Sequence, residues 1–145
     1  MEHAREVILV AVDGSPMAAV VYAAAKKMAL VLAAELHLFR AVALPPEIPA
    51  AAHNEADPTD AIVQQNIHTE LAKLAGEDSN VVTEKVVVSA ASPWRLILST
   101  AQSIDADLIV LGSHGYAGWD RILGTTAAQV CNRSDRNVLV VHKGL

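Results

Sequence analysis

The segment from Asp107 to Gln129, DLIVLGSHGYAGWDRILGTTAAQ, constrains the fold more than any other. It opens as a strand-length apolar run and then passes four glycines within thirteen residues, Gly112, Gly115, Gly118 and Gly124. It restarts as a helix behind Gly124, Thr125 and Thr126. A buried strand, a glycine loop and a helix start with free N–H groups and hydroxyls is how α/β proteins build an anion site. Glycine lets the backbone approach a phosphate with no Cβ between them, and a helix N-terminus favours negative charge. Taken singly these glycines fit ordinary turns. Together with two threonines at a helix start they fit a phosphate cradle better, and a nucleotide phosphate is the natural candidate.

The rest of the chain supplies a sheet for that segment to join. Val7 to Val12 (VILVAV) is a continuous apolar run ending at Asp13-Gly14, the pattern of a strand buried on both faces. Ser15-Pro16 opens a helix with serine as N-cap and proline at the first helical position, followed by the stripe Val21, Ala25, Met28, Leu32. Glu35 to Val42 reads as a second strand, and Ala43 to Ala56, with three prolines, as an irregular loop. Asp57-Pro58 starts a second helix, striped by Val63, Ile67, Leu71 and Leu74 and closed by Gly76. Val81 to Ser89 is the third strand, and Ser92-Pro93 opens a third helix carrying Trp94, Ile97, Leu98, Ala101 and Ile104. Leu108 to Leu111 lies in the fourth strand, Thr125 to about Arg133 forms the fourth helix, and Val138 to Val141 the fifth strand. This alternation predicts one domain over residues 1–145, an α/β fold with a doubly wound parallel sheet and helices on both faces. Ligands of such sheets sit at the carboxyl ends of the strands, where the winding reverses. Asp13 and Gly112 both fall on that edge, so they face one crevice if the first and fourth strands are neighbours.

Composition narrows the function classes. With 145 residues the chain buries roughly two-thirds of its unfolded surface. Apolar residues make up 52% but only five are aromatic, so the core must be aliphatic. No apolar run approaches the roughly 20 residues of a membrane span, and the N-terminal stretch lacks the features of a signal peptide. The net charge of −5 speaks against nucleic acid or a membrane surface as partner, though not against a small nucleotide. One cysteine, Cys131, excludes an internal disulfide framework and suggests a reducing, cytoplasmic setting.

Individual residues carry two readings each. Asp13 is either a turn carboxylate satisfying local N–H groups or a ligand residue. Ser15 reads as a helix cap rather than a nucleophile, since no glycine elbow surrounds it. His114 reads as a loop donor to phosphate or backbone, and Arg121 as a phosphate counter-charge or a solvated cation. Cys131, among Ala127, Ala128 and Val130, reads as a buried structural thiol. The six histidines show no metal-ligand spacing, so no metal site is expected. Neither G-x-G-x-x-G after the first strand nor G-x-x-x-x-G-K-[ST] is present, and no aspartate closes the third strand as a phosphoacceptor would require.

VILVAVDGS, the Ser92-Pro93 helix start, DLIVLGSHG, GTTAAQV and NVLVVH together resemble the universal stress proteins over nearly the whole chain. Nucleotide-binding members of that family carry G-x2-G-x9-G-[ST]. This sequence is similar, with Gly112, Gly115, Gly124 and Thr125, but only eight residues, Tyr116 to Leu123, separate the second and third glycines. The resemblance implies a flavodoxin-like five-stranded sheet of order 3-2-1-4-5 and a homodimer paired through the last strand, Asn137 to His142. It also implies ATP as ligand, with AMP or a cyclic nucleotide as alternatives and Mg²⁺ as an accompanying ion. Carried over, Ala11, Val12 and Asp13 lie beside the adenosine and Val42 gives backbone contacts to the base edge. Leu111, Gly112, His114 and Gly115 line the ribose and phosphate path, and Gly124, Thr125 and Thr126 hold the distal phosphates. Two competing readings keep the fold: a stress-associated scaffold without nucleotide, and a slow ATP hydrolase in which Asp13 holds the metal and His114 or Thr125 places a water.

Overall fold

The computed structural model describes residues 5–43, 58–78, 80–83, 87–89, 92–113 and 126–142. In chain order the elements are β1 (Val7–Ala11), α1 (Met17–Leu32), β2 (Glu35–Phe39), β3 (Ala41–Ala43), α2 (Pro58–Ala75), β4 (Val81–Thr83), β5 (Val87–Ser89), α3 (Pro93–Ser103), β6 (Leu108–Gly112), α4 (Thr126–Arg133) and β7 (Asn137–Val141). Five strands form one parallel sheet in the order β4-β2-β1-β6-β7. Since β4 begins the third apolar run, this is the expected order 3-2-1-4-5 of a flavodoxin-like sheet.

Two runs read as single strands are interrupted. Glu35 to Val42 breaks at Arg40 into β2 and β3, and the run 81–89 divides into β4 and β5, its middle lying outside the described residues. β3 and β5 pair with each other, Val42 opposite Val88, in a separate two-stranded parallel ladder. At the break the Arg40 side chain reaches out to Glu70 on α2, Nη1 to Oε2 at 2.5 Å.

Alternation along β1 sorts the core into two layers. Ile8, Val10 and Val12 pack with α1 and α2, while Leu9 and Ala11 pack with α3 and α4. Both layers are almost wholly aliphatic, and each fully buried Leu, Ile or Val contributes roughly 1.5–3 kcal/mol. The α1 face that is buried is Val21, Tyr22, Ala25 and Ala29. The expected stripe is therefore displaced at its end: Met28 packs only partly and Leu32 is 36% exposed, because the step of four from Ala25 falls on Ala29. On α2, Ile67, Leu71 and Ala75 are buried and Leu74 partly so, whereas Val63 is exposed. On α3 the expected face is found, with Ile97 and Ala101 buried and Trp94, Leu98 and Ile104 packed against the same layer. Trp94 lies between the guanidinium groups of Arg95 and Arg133, at 4.8 and 4.7 Å, which ties α3 to α4.

The helix starts follow the sequence signals. Pro16 has helical dihedrals, and the Ser15 hydroxyl accepts the Met17 amide at 3.2 Å. Ser92 is extended with Pro93 at the first helical position. The α2 helix runs into Gly76 at φ 59°, where glycine is the favoured residue.

Tyr22, which lies outside the expected stripe, fastens α1 to the turn after α2. Its hydroxyl donates to the Asp78 carboxylate, which also pairs with Lys26 at 3.0 Å. Burial first, then the bond to Asp78 and its charge, push the Tyr22 phenol above its ordinary value. The Tyr22 hydroxyl and Lys26 hold Asp78 below the usual carboxylate range. The fold thus needs a protonated Tyr22, and its contribution is complete below about pH 10, where a free tyrosine ionises, and is lost as pH rises above that. Thermal melts should therefore fall more steeply from pH ~10 upward in wild type than in Tyr22→Phe. Parallel curves for the two proteins would contradict this assignment.

Candidate functional site

The register of β1 and β6 sets Ala11 opposite Leu111. Both strands run the same way, so Asp13 and Gly112 leave the sheet on one carboxyl edge. There the connections switch from the α1 and α2 face to the α3 and α4 face, which makes this the winding reversal where such sheets take ligands.

The residues at this edge divide by what they expose. Ala11, Val12 and Leu111 have buried side chains in the two core layers, so only their backbone atoms can serve a ligand. The Val12 amide donates to the Phe39 carbonyl at 3.0 Å. Asp13 is half-buried, and its Oδ1 accepts both the Ser15 amide at 2.9 Å and the Ser15 hydroxyl at 2.5 Å. This is the turn role of an Asp-Gly-Ser sequence. Oδ2 accepts no hydrogen bond among the described residues, so the turn leaves half of the carboxylate for another partner. The Ser15 hydroxyl is committed between Asp13 and the Met17 amide, in keeping with a cap.

On the other side of the crevice, Gly112 stands opposite Val141, and the Ser113 amide donates to the Val141 carbonyl at 2.9 Å. Among the described residues the buried Ser113 hydroxyl finds no hydrogen-bond partner. A hydroxyl can both donate and accept, so Ser113 keeps bonding capacity at this edge. Sequence reasoning passed over Ser113, although it sits inside the glycine motif. Val42 lies in β3, and Thr126 is the first residue of α4. His114, Gly115, Arg121, Gly124 and Thr125 lie outside the described residues, as does the eight-residue interval between the second and third motif glycines.

Two further residues at this edge escaped sequence reasoning. A cavity of about 140 Å³ opens beside Asp13, and Arg40 and Glu70 share its lining with Gly14 and Ser15. An arginine at a strand break and a glutamate on a helix, thirty residues apart, carry no sequence signal that they meet.

Cys131 corrects another expectation. The thiol is exposed, because α4 buries Ala127 and Val130 and thereby turns position 131 outward. Among the described residues no three His, Cys, Asp or Glu side chains converge to hold a metal ion, and no helix is long and apolar enough to cross a membrane.

The model of the universal stress protein family matches residues 4–142, nearly the entire sequence. The chain belongs to that family. A curated relative, universal stress protein A homolog 1 of Coxiella burnetii, is 28% identical over 87 residues, which are 58% of this chain and 60% of the relative. The match thus spans less than two-thirds of that relative's length. Among solved structures, universal stress protein UspA from Lactobacillus plantarum is 26% identical with a TM-score of 0.70, covering 96% of this chain and 99% of its own. A universal stress protein crystallised in complex with cAMP is likewise 26% identical, with a TM-score of 0.67 and coverage of 97% and 98%.

Proposed function

We propose that this universal stress protein binds an adenine nucleotide, ATP in the first instance, in the crevice between the carboxyl ends of β1 and β6. The observation that carries this reading is the Ser113 hydroxyl, which follows Gly112 at the end of β6 and is buried with no hydrogen-bond partner among the described residues. The cAMP complex of a similar universal stress protein supports adenine as the base. In this reading the backbones of Ala11, Val12 and Val42 border the nucleoside, and Asp13 offers its second carboxylate oxygen to sugar hydroxyls. Leu111, Gly112, His114 and Gly115 follow the ribose and phosphate path. Gly124, Thr125 and Thr126 present N–H groups and hydroxyls to the distal phosphates, with Mg²⁺ as their counter-ion. The protein acts as a ligand-dependent signalling or protective homodimer in the cytoplasm, paired through Asn137 to His142.

Mass spectrometry of small molecules released from the purified, denatured protein, followed by calorimetric titration with ATP, AMP, cAMP and adenosine, tests the reading. Gly124→Val, which puts a branched side chain where backbone must approach phosphate, should weaken ATP about tenfold and leave adenosine nearly unchanged. Asp13→Ala should weaken adenosine and ATP alike. If wild type binds none of these ligands at millimolar concentration, the scaffold reading replaces this one.

A further inference from the structure

We infer that Glu70 is a positioning residue that holds Arg40 off the Asp13 carboxylate and so keeps that carboxylate open to a nucleoside's hydroxyls. The inference rests on the nucleotide reading above.

Arg40 lies at the interruption between β2 and β3, on the same carboxyl edge as Asp13. Its Nη2 would stand 2.7 Å from a Cβ on Gly14 and its Cζ 3.3 Å, so the guanidinium lies against the residue next to Asp13. The absent side chain at Gly14 is what admits it. Both charged groups line the 140 Å³ cavity, and Arg40 keeps only 21% of its side-chain surface exposed.

A half-buried carboxylate with one unbonded oxygen and a guanidinium one residue away attract each other, and a planar guanidinium is well shaped to bond a carboxylate. In this structure the guanidinium instead bonds Glu70, Nη1 to Oε2 at 2.5 Å, from the α2 side of the cavity. Leu71 is buried and Leu74 packs against the same core layer. They anchor this turn of α2, so Glu70 projects from a fixed base at the cavity rim. Glu70 is itself 62% exposed, so it competes for Arg40 from a solvated position and its hold is adjustable. Asp13 with Arg40 bonded to it would have to release that partner before accepting a ribose hydroxyl.

Calorimetric titration of adenosine into the full chain tests this with wild type, Glu70→Gln and the double variant Glu70→Gln/Arg40→Met, thermal melts confirming that all three are folded. Glu70→Gln should bind adenosine five- to tenfold more weakly, a coupling of the size seen between residues sharing one network. The double variant should recover to within about threefold of wild type, and salt near ~0.5 M should partly restore Glu70→Gln by screening the released arginine. A merely structural bridge would give the opposite order, with the double variant as weak as the single or weaker, and that result overturns the inference. Unchanged affinity in Glu70→Gln overturns it equally while leaving the nucleotide reading standing. No adenosine binding by wild type overturns both.

Discussion

Phe39→Ala should remove about 3–5 kcal/mol of folding stability, since Phe39 is the largest fully buried side chain among the described residues. Phe39 is the sole phenylalanine, has no exposed surface, and ends β2 against the α3 and α4 layer. Its neighbours there are Leu9, Ala11, Ile97 and Ile109, which are aliphatic and held by two strands and a helix. They cannot close over the space an aromatic ring leaves, so a cavity cost adds to the lost transfer energy. Its carbonyl also accepts the Val12 amide, so relaxation at this point would loosen the strand that presents Asp13. Against a total stability of about 5–15 kcal/mol, the loss would bring the protein close to half-unfolded in mild denaturant. Urea titration should show a large fall in midpoint with the slope unchanged. A loss below 1 kcal/mol would mean that the layer repacks freely and that its shape is not set by this ring.

Val140→Pro should convert the proposed homodimer to monomer, raising the dissociation constant at least a hundredfold. The geometry of β7 makes the substitution selective. The Val141 carbonyl bonds the Ser113 amide on the β6 side. Successive residues of a strand turn their N–H and C=O groups to opposite sides, so those of Val140 and Val138 face the open edge of the sheet. Proline at position 140 removes a donor from that edge while sparing the ladder to β6. Light scattering across a concentration series reads the outcome, with circular dichroism confirming the fold. A dimer of undiminished strength in folded Val140→Pro would place the contact on another surface.

Much of the fold was legible because its signals are local. Runs such as VILVAV and DLIVLG specify buried parallel strands through composition alone, and Ser-Pro pairs mark helix starts through the proline ring, with a hydroxyl bond added at Ser15 but not at Ser92. What escaped depended on partners distant in the chain. Tyr22 was left out of the α1 stripe, and its hydroxyl is satisfied by Asp78, 56 residues away. Arg40 within ELHLFRAV carries no break signal, and only α2 packing explains where its guanidinium goes. Cys131 was misplaced because its sequence neighbours are apolar, whereas burial follows the helical angle, and Ala127 and Val130 take the inner face. At the candidate site, the shared edge of Asp13 and Gly112 followed from strand order, whereas the bonds of the Asp13 carboxylate to Ser15 are one of the two readings that the sequence left open. The Arg40 and Glu70 pair required three segments to meet, and no spacing rule encodes that.

The interruption at Arg40 has a consequence for cooperativity. It divides the sheet into a ladder of five strands carrying most of the buried surface and a ladder of two, β3 with β5, bearing Val42 at the rim. Separate ladders can part at separate free energies, since opening the small one breaks no hydrogen bond in the large one. The rim at Val42 can thereby open separately from the large ladder, whose buried layer holds Phe39, Leu9 and Ile109. A nucleobase seated against that rim would stabilise the smaller unit first, so occupancy would be felt as added protection at the rim before it altered the stability of the centre.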